Sequence, residues 1–123
     1  MPNYSCTSWL FYGDDRLNAA ANHNSAHILP NYNGKGPHVR KIHEVLKDYF
    51  SGTFGGEKMP YGDALTGDVY NQDTSVAVWF YKYQQDKNGE DLKNYAGKID
   101  SICGIKTVRS MDAWHRAQNP FNP

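Results

Sequence analysis

The stretch that most constrains this chain is Gly67 to Tyr83, Gly-Asp-Val-Tyr-Asn-Gln-Asp-Thr-Ser-Val-Ala-Val-Trp-Phe-Tyr-Lys-Tyr. It reads as a tight turn that launches a helix, and the helix is apolar on two sides. At about 100° per residue, Thr74, Ala77, Val78 and Tyr81 fall on one stripe. Val76, Trp79, Phe80 and Tyr83 fall on the opposite one, between about 140° and 240°. Such a helix is either central to a core, or a core helix that shows a second surface to a partner.

The remaining periodicity is helical throughout. Pro37 suits a first helical position, and from there to Phe50 the residues Val39, Ile42, Val45, Leu46, Tyr49 and Phe50 share one face. Arg40, Lys41, Glu44, Lys47 and Asp48 share the other. A last helix is expected near Ile105, with Thr107, Ser110, Met111 and Trp114 as its stripe. Asp14 or Asp15 can cap a short helix carrying Leu17 and Ala19 to Ala21. Residues 51–66 and 88–98 carry glycines and read as two long loops. No segment alternates like a strand. The expected fold is all-α, a compact three-helix domain with an N-terminal extension. Residues 1–36 form an aromatic arm and short helix packed on the domain, 37–118 the helical domain, and 119–123 a tail.

At 123 residues the chain has room for one domain. Its 13 basic and 13 acidic side chains cancel, which argues against nucleic acid or an anionic membrane as partner. No basic-then-apolar leader is visible at the N-terminus, and no run approaches the ~18 apolar residues of a membrane span. These features give no compartment beyond cytoplasmic, or exported by a non-classical route. Cys6 and Cys103 lack zinc or redox spacing, leaving open one disulfide or two free thiols.

Nothing in the chain assembles obvious catalytic chemistry. His23 and His27 lie four apart in a poor helix, and His38 and His43 point about 140° apart on theirs. His115 is isolated, so surface or half-buried histidines are expected, with no metal and no cofactor. Asp14-Asp15, Asp68/Asp73 and Glu90-Asp91 sit where capping explains them. No nucleophile has an evident base, so the chain reads as a non-enzyme.

Two helix entrances repeat. Gly67-Asp68-Val69-Tyr70-Asn71-Gln72-Asp73-Thr74 parallels Asp100-Ser101-Ile102-Cys103-Gly104-Ile105-Lys106-Thr107. Each places an apolar pair, expected to plug the core, before a residue tolerant of positive φ, and a threonine three residues later. On these blocks the sequence resembles the peptidoglycan-binding-like domain, a three-helix module often fused to bacterial cell-wall hydrolases. Val39, Ile42, His43 and Leu46 match its first helix. Tyr70, Asn71, Thr74, Ala77, Val78 and Tyr81 match its second block, and Asp100, Ile102, Cys103, Gly104, Thr107 and Met111 its third. Gly13 to Ala20 and Gly34 to Ile42 resemble a bacterial subgroup with a short N-terminal extension and no catalytic domain. The likeness covers about residues 13–116. Asp68, Asn71 and Ser101 replace family glycines, His43 a glutamine, and Tyr81 a phenylalanine.

The resemblance implies non-catalytic binding of bacterial cell-wall peptidoglycan, glycan or stem peptide, in a groove beside the central helix. Tyr70, Trp79, Tyr83 and Asp100 are the expected ligand contacts. The alternative is a structural or protein–protein module of a larger assembly. The outer aromatics decide between a site and a packing surface: the N-terminal arm or the 51–66 loop would cover Trp79, Phe80 and Tyr83 if they are merely core.

Overall fold

The computed structural model describes residues 4–51 and 65–118. Their architecture is all-α, three main helices preceded by a short one, and no strands occur among the described residues. Helix α1 spans Asp15–Ala20, α2 Pro37–Ser51, α3 Gln72–Lys87 and α4 Ile105–Gln118, with one 3₁₀ turn at Asn24–Ala26. Most of the 51–66 loop and the 119–123 tail lie outside the described residues.

Each helix starts where its local chemistry demands. The Asp14 carboxylate caps α1 by accepting the Leu17 N–H at 3.0 Å. Its other oxygen takes the Lys41 ammonium at 2.9 Å and ties this cap to α2. Gly36, at φ +133°, turns the chain into Pro37, whose missing N–H is no loss in a first turn. Asn71 caps α3 in a reciprocal box: its side chain accepts the Thr74 N–H, while the Thr74 hydroxyl accepts the Asn71 N–H. Helix α3 ends at Lys87, and its C-cap Asn88 is followed by Gly89 at φ +97°.

The expected inner faces of α2 and α3 are buried. On α4 Thr107, Ser110 and Met111 are buried as expected, but Trp114 is only half-buried, and Val108, Asp112 and His115, outside the expected stripe, are buried as well. Val39, Ile42, Val45, Leu46, Tyr49 and Phe50 from α2 meet Ala77, Val78 and Tyr81 from α3 and Val108 and Met111 from α4. Leu17, Ile28 and Phe11 close the core from the N-terminal side. Truncating one of these large residues to alanine costs about 2–5 kcal/mol by transfer and cavity terms. A polar chain crosses the helix junction. Tyr81 donates to Ser110 Oγ, Ser110 to Glu90, Gln85 Nε2 to the same Glu90 oxygen, and Tyr49 to Gln85 Oε1.

Three sequence expectations are corrected. Asn71 sits at φ −100°, an extended N-cap, and Gly104 is not among the residues at positive φ. The repeat is therefore a capping device: Asn71 and Gly104 hold equivalent positions, and their carbonyls accept the N–H of Ser75 and Val108. Second, only one residue of each apolar pair plugs the core. Tyr70 and Cys103 are buried, while Val69 is 47% exposed and Ile102 half-buried. Third, His38, His43 and His115 are fully buried rather than at the surface. The His43 ring earns its interior place through two bonds. Nδ1 donates to the Gly67 carbonyl at 3.1 Å, so the neutral ring accepts the Thr74 hydroxyl at Nε2, 2.8 Å away.

Both cysteines are buried free thiols. Burial pushes each thiol up to about 12, so neither is a ready nucleophile.

Candidate functional site

The four expected contact residues fall in three places. Tyr70 is in the core, 1% exposed, and its hydroxyl donates to the Ser101 carbonyl. Burial raises that phenol far above its ordinary range. Its role is to anchor the segment before α4, and no ligand can reach its ring. The motif gave no sign of this, because an aromatic in a turn reads equally as plug or platform.

Trp79 and Tyr83 do meet, on the outer face of α3. Their rings stack with centroids 5.2 Å apart and 15° between planes, and Phe80 stands edge-on to Trp79. The Lys87 ammonium lies over the Tyr83 ring at 5.0 Å. Trp79 and Phe80 are half-buried and Tyr83 is 36% exposed. The N-terminal arm goes elsewhere. Tyr4 and Cys6 bond to Asn22 and Asn18 near α1, Thr7 and Ser8 bond to Asp112 of α4, and Trp9 stands edge-on to His115.

Asp100 lies on a different wall, in an open cleft of about 480 Å³ between the 92–102 connection and the start of α4. The Lys82 side chain, only 4% exposed, reaches across from α3 to the Asp100 Oδ1 atom at 2.5 Å. Its ammonium also donates to the Ile102 carbonyl. Oδ1 accepts the Ile102 N–H as well, and Oδ2 accepts the Asn94 amide at 3.0 Å. Burial pushes the Asp100 carboxyl up, but the Lys82, Asn94 and Ile102 donors outweigh it and hold it below the ordinary carboxylate range. Asp100 is therefore an ionised, fully engaged group that sets the floor of the cleft.

Sequence reasoning missed the rim. Tyr95 is fully exposed beside Lys93, Asn94 and Lys106, and His27 and Asn24 face them from the N-terminal side. Lys93 pairs with Asp86 at 2.6 Å, and Lys106 reaches the Lys93 carbonyl and Asp91. The available signal was the composition of residues 88–98: a polar connection with one lone aromatic. Gly104 to Thr107, at the start of α4, line the same cleft.

Among the described residues no three His, Cys, Asp or Glu side chains converge as a metal site would require. Among the same residues no helix is long and apolar enough to cross a membrane. No family model matches the chain, and no match to it was found among curated proteins or solved structures.

Proposed function

We propose that this chain is a peptidoglycan-binding-like module that holds bacterial cell-wall glycan or stem peptide without catalysis, in the cleft beside α4. The observation that carries the reading is the open cleft with its exposed Tyr95 rim and fixed polar floor. A sugar ring stacks on a tyrosine face through its apolar C–H side, while hydroxyls and amides find donors and acceptors at Asn24, Lys93 and Lys106. The order of the three sequence blocks supports the family assignment, since each block falls on its own helix. The site has moved relative to the sequence expectation. Asp100 stays within it, and Trp79 and Tyr83 lie on another face.

The test is co-sedimentation of the purified chain with insoluble peptidoglycan, against a control protein of similar charge. Pelleting that Tyr95→Ala cuts severalfold supports the cleft. No pelleting above the control refutes wall binding.

The outer α3 aromatics favour a second reading, a protein–protein or structural module of a larger assembly. A stacked Trp79–Tyr83 pair on a partly exposed helix face resembles the aromatic anchors of protein interfaces. Self-association that rises with concentration and is lost in Trp79→Ala, without wall binding, selects it.

A further inference from the structure

The Asp100 carboxylate bridges two side chains whose chemistry is complementary. One oxygen holds the amine of Lys82 at 2.5 Å and the other holds the amide nitrogen of Asn94 at 3.0 Å. The amide oxygen of Asn94 is engaged separately. It accepts the backbone N–H groups of Ala96 at 2.9 Å and Lys98 at 3.1 Å. A nucleophilic amine and an electrophilic amide are thus gathered on one carboxylate that touches both nitrogens, with two N–H donors on the amide oxygen.

We infer that Lys82 and Asn94 form an intramolecular isopeptide bond, with Asp100 as its proton shuttle. Asp100 takes a proton from the Lys82 ammonium, leaving the free amine. Nζ attacks the Asn94 side-chain carbon, and the oxygen takes up negative charge toward the Ala96 and Lys98 N–H groups. Asp100 passes its proton to the departing nitrogen. The carbon–Nδ2 bond breaks. The second Nζ proton, shed as the new amide forms, passes through the Asp100 carboxylate to the departing ammonia, which leaves as ammonium with the carboxylate restored. A lysine ammonium and an asparagine amide become one amide and one ammonium ion, with no oxidation or reduction.

Two features favour the reaction. The Lys82 stem is buried along α3, so the amine is aimed without loss of much further freedom. The Asn94 oxygen is already polarised by the turn through Lys98, whose carbonyl in turn accepts the Asn94 N–H at 2.9 Å. The reaction runs once per molecule, so it need not be fast. The resulting bond would staple α3 to the connection before α4 and fix the cleft floor, whatever the cleft binds.

The test is the intact mass of the full-length chain after prolonged incubation at neutral to mildly alkaline pH, followed by peptide mapping. The expected main species is one ammonia lighter than the sequence mass, with a branched peptide joining Lys82 to Asn94. Lys82→Arg and Asp100→Asn should run at their full sequence masses. An unmodified wild-type mass overturns the inference whether or not the variants fold. So does loss of water in place of ammonia, which would mark a Lys82–Asp100 amide. Loss of ammonia mapping to a succinimide within residues 94–95 also overturns it.

Discussion

Replacing Asp112 by alanine should loosen the N-terminal arm and remove a large share of the stability. Asp112 is completely buried on α4. Its two oxygens accept the Tyr4 hydroxyl at 2.7 Å, the Thr7 N–H at 3.0 Å and the Ser8 N–H at 2.8 Å. Arg116 supplies the counter-charge at 3.1 Å and also bonds the Thr7 hydroxyl. Hydrogen bonds to a charged acceptor contribute about 1.5–3 kcal/mol each, and three converge here besides the ion pair. They are not additive, because an arm that detaches lets water reach all the freed donors together. Breaking a buried charge network costs about 3–5 kcal/mol, and that range is the expectation for Asp112→Ala.

Against a typical total of roughly 5–15 kcal/mol, such a loss is visible in a urea melt followed by circular dichroism. Hydrogen exchange should localise it, with the Thr7 and Ser8 amides losing protection before the core of α2 does. Asp112→Asn should fall between wild type and alanine, since one oxygen remains for the two backbone N–H groups while an NH₂ meets a donor. A loss under about 1 kcal/mol for alanine, with Thr7 and Ser8 still protected, would refute the clamp.

Acid should destabilise the fold in the histidine range. Burial lowers the His43 and His115 imidazoles below their ordinary value, so the unfolded chain binds protons that the folded one refuses. Stability falls as pH drops below about 6.5, by at most about 1.4 kcal/mol per pH unit for each ring, and levels off below the folded values. His43→Gln keeps a donor for Gly67 and an acceptor for Thr74, and should flatten part of that slope in pH-dependent melts; an unchanged slope sinks the assignment. Gly34→Ala should destabilise by about 1–3 kcal/mol, since its new methyl would lie 2.5 Å from the Leu29 carbonyl oxygen and 2.6 Å from that of Pro30. A wild-type melting curve would show that this loop opens freely. Tyr95→Ala should leave stability within about 0.5 kcal/mol, because the ring is fully exposed, while cutting peptidoglycan pelleting severalfold. Unchanged pelleting would move the ligand off this rim.

The helices were legible because their periodicity and caps agree. Pro37 after Gly36, Asp14 before Leu17 and the Thr74/Ala77/Val78/Tyr81 stripe each admit one local solution, and the tertiary packing takes it. Histidine burial was not legible. His43 needs a carbonyl and a hydroxyl brought from Gly67 and Thr74, and neither is close in sequence. Lys82 was hidden for the same reason. A lysine on an otherwise apolar helix reads as a solvated edge until Asp100 arrives from the far side of the 88–98 connection. The arm was legible as packed but not as to where, since its docking depends on Asn18, Asn22 and Asp112, three polar residues with no apolar pattern to betray them.

The two helix entrances explain why the cleft opens where it does. Each is pinned to the same N-terminal loop by its buried residue: Tyr70 N–H bonds to the Gly34 carbonyl at 2.8 Å, and Cys103 N–H to the Ile28 carbonyl at 2.9 Å. Each then enters its helix with a threonine at the third helical position. They diverge at the cap. Asn71 closes the first turn of α3 on itself, whereas Gly104 has no side chain to do so for α4. They diverge again four residues before the cap, where Gly67 has no side chain and Asp100 gathers Lys82, Asn94 and Ile102. The first entrance is thereby closed by its own cap, with Tyr70 as its buried plug. The second keeps an open turn above a charged, fixed floor, so the departures within the repeat, and not the repeat itself, shape the cleft.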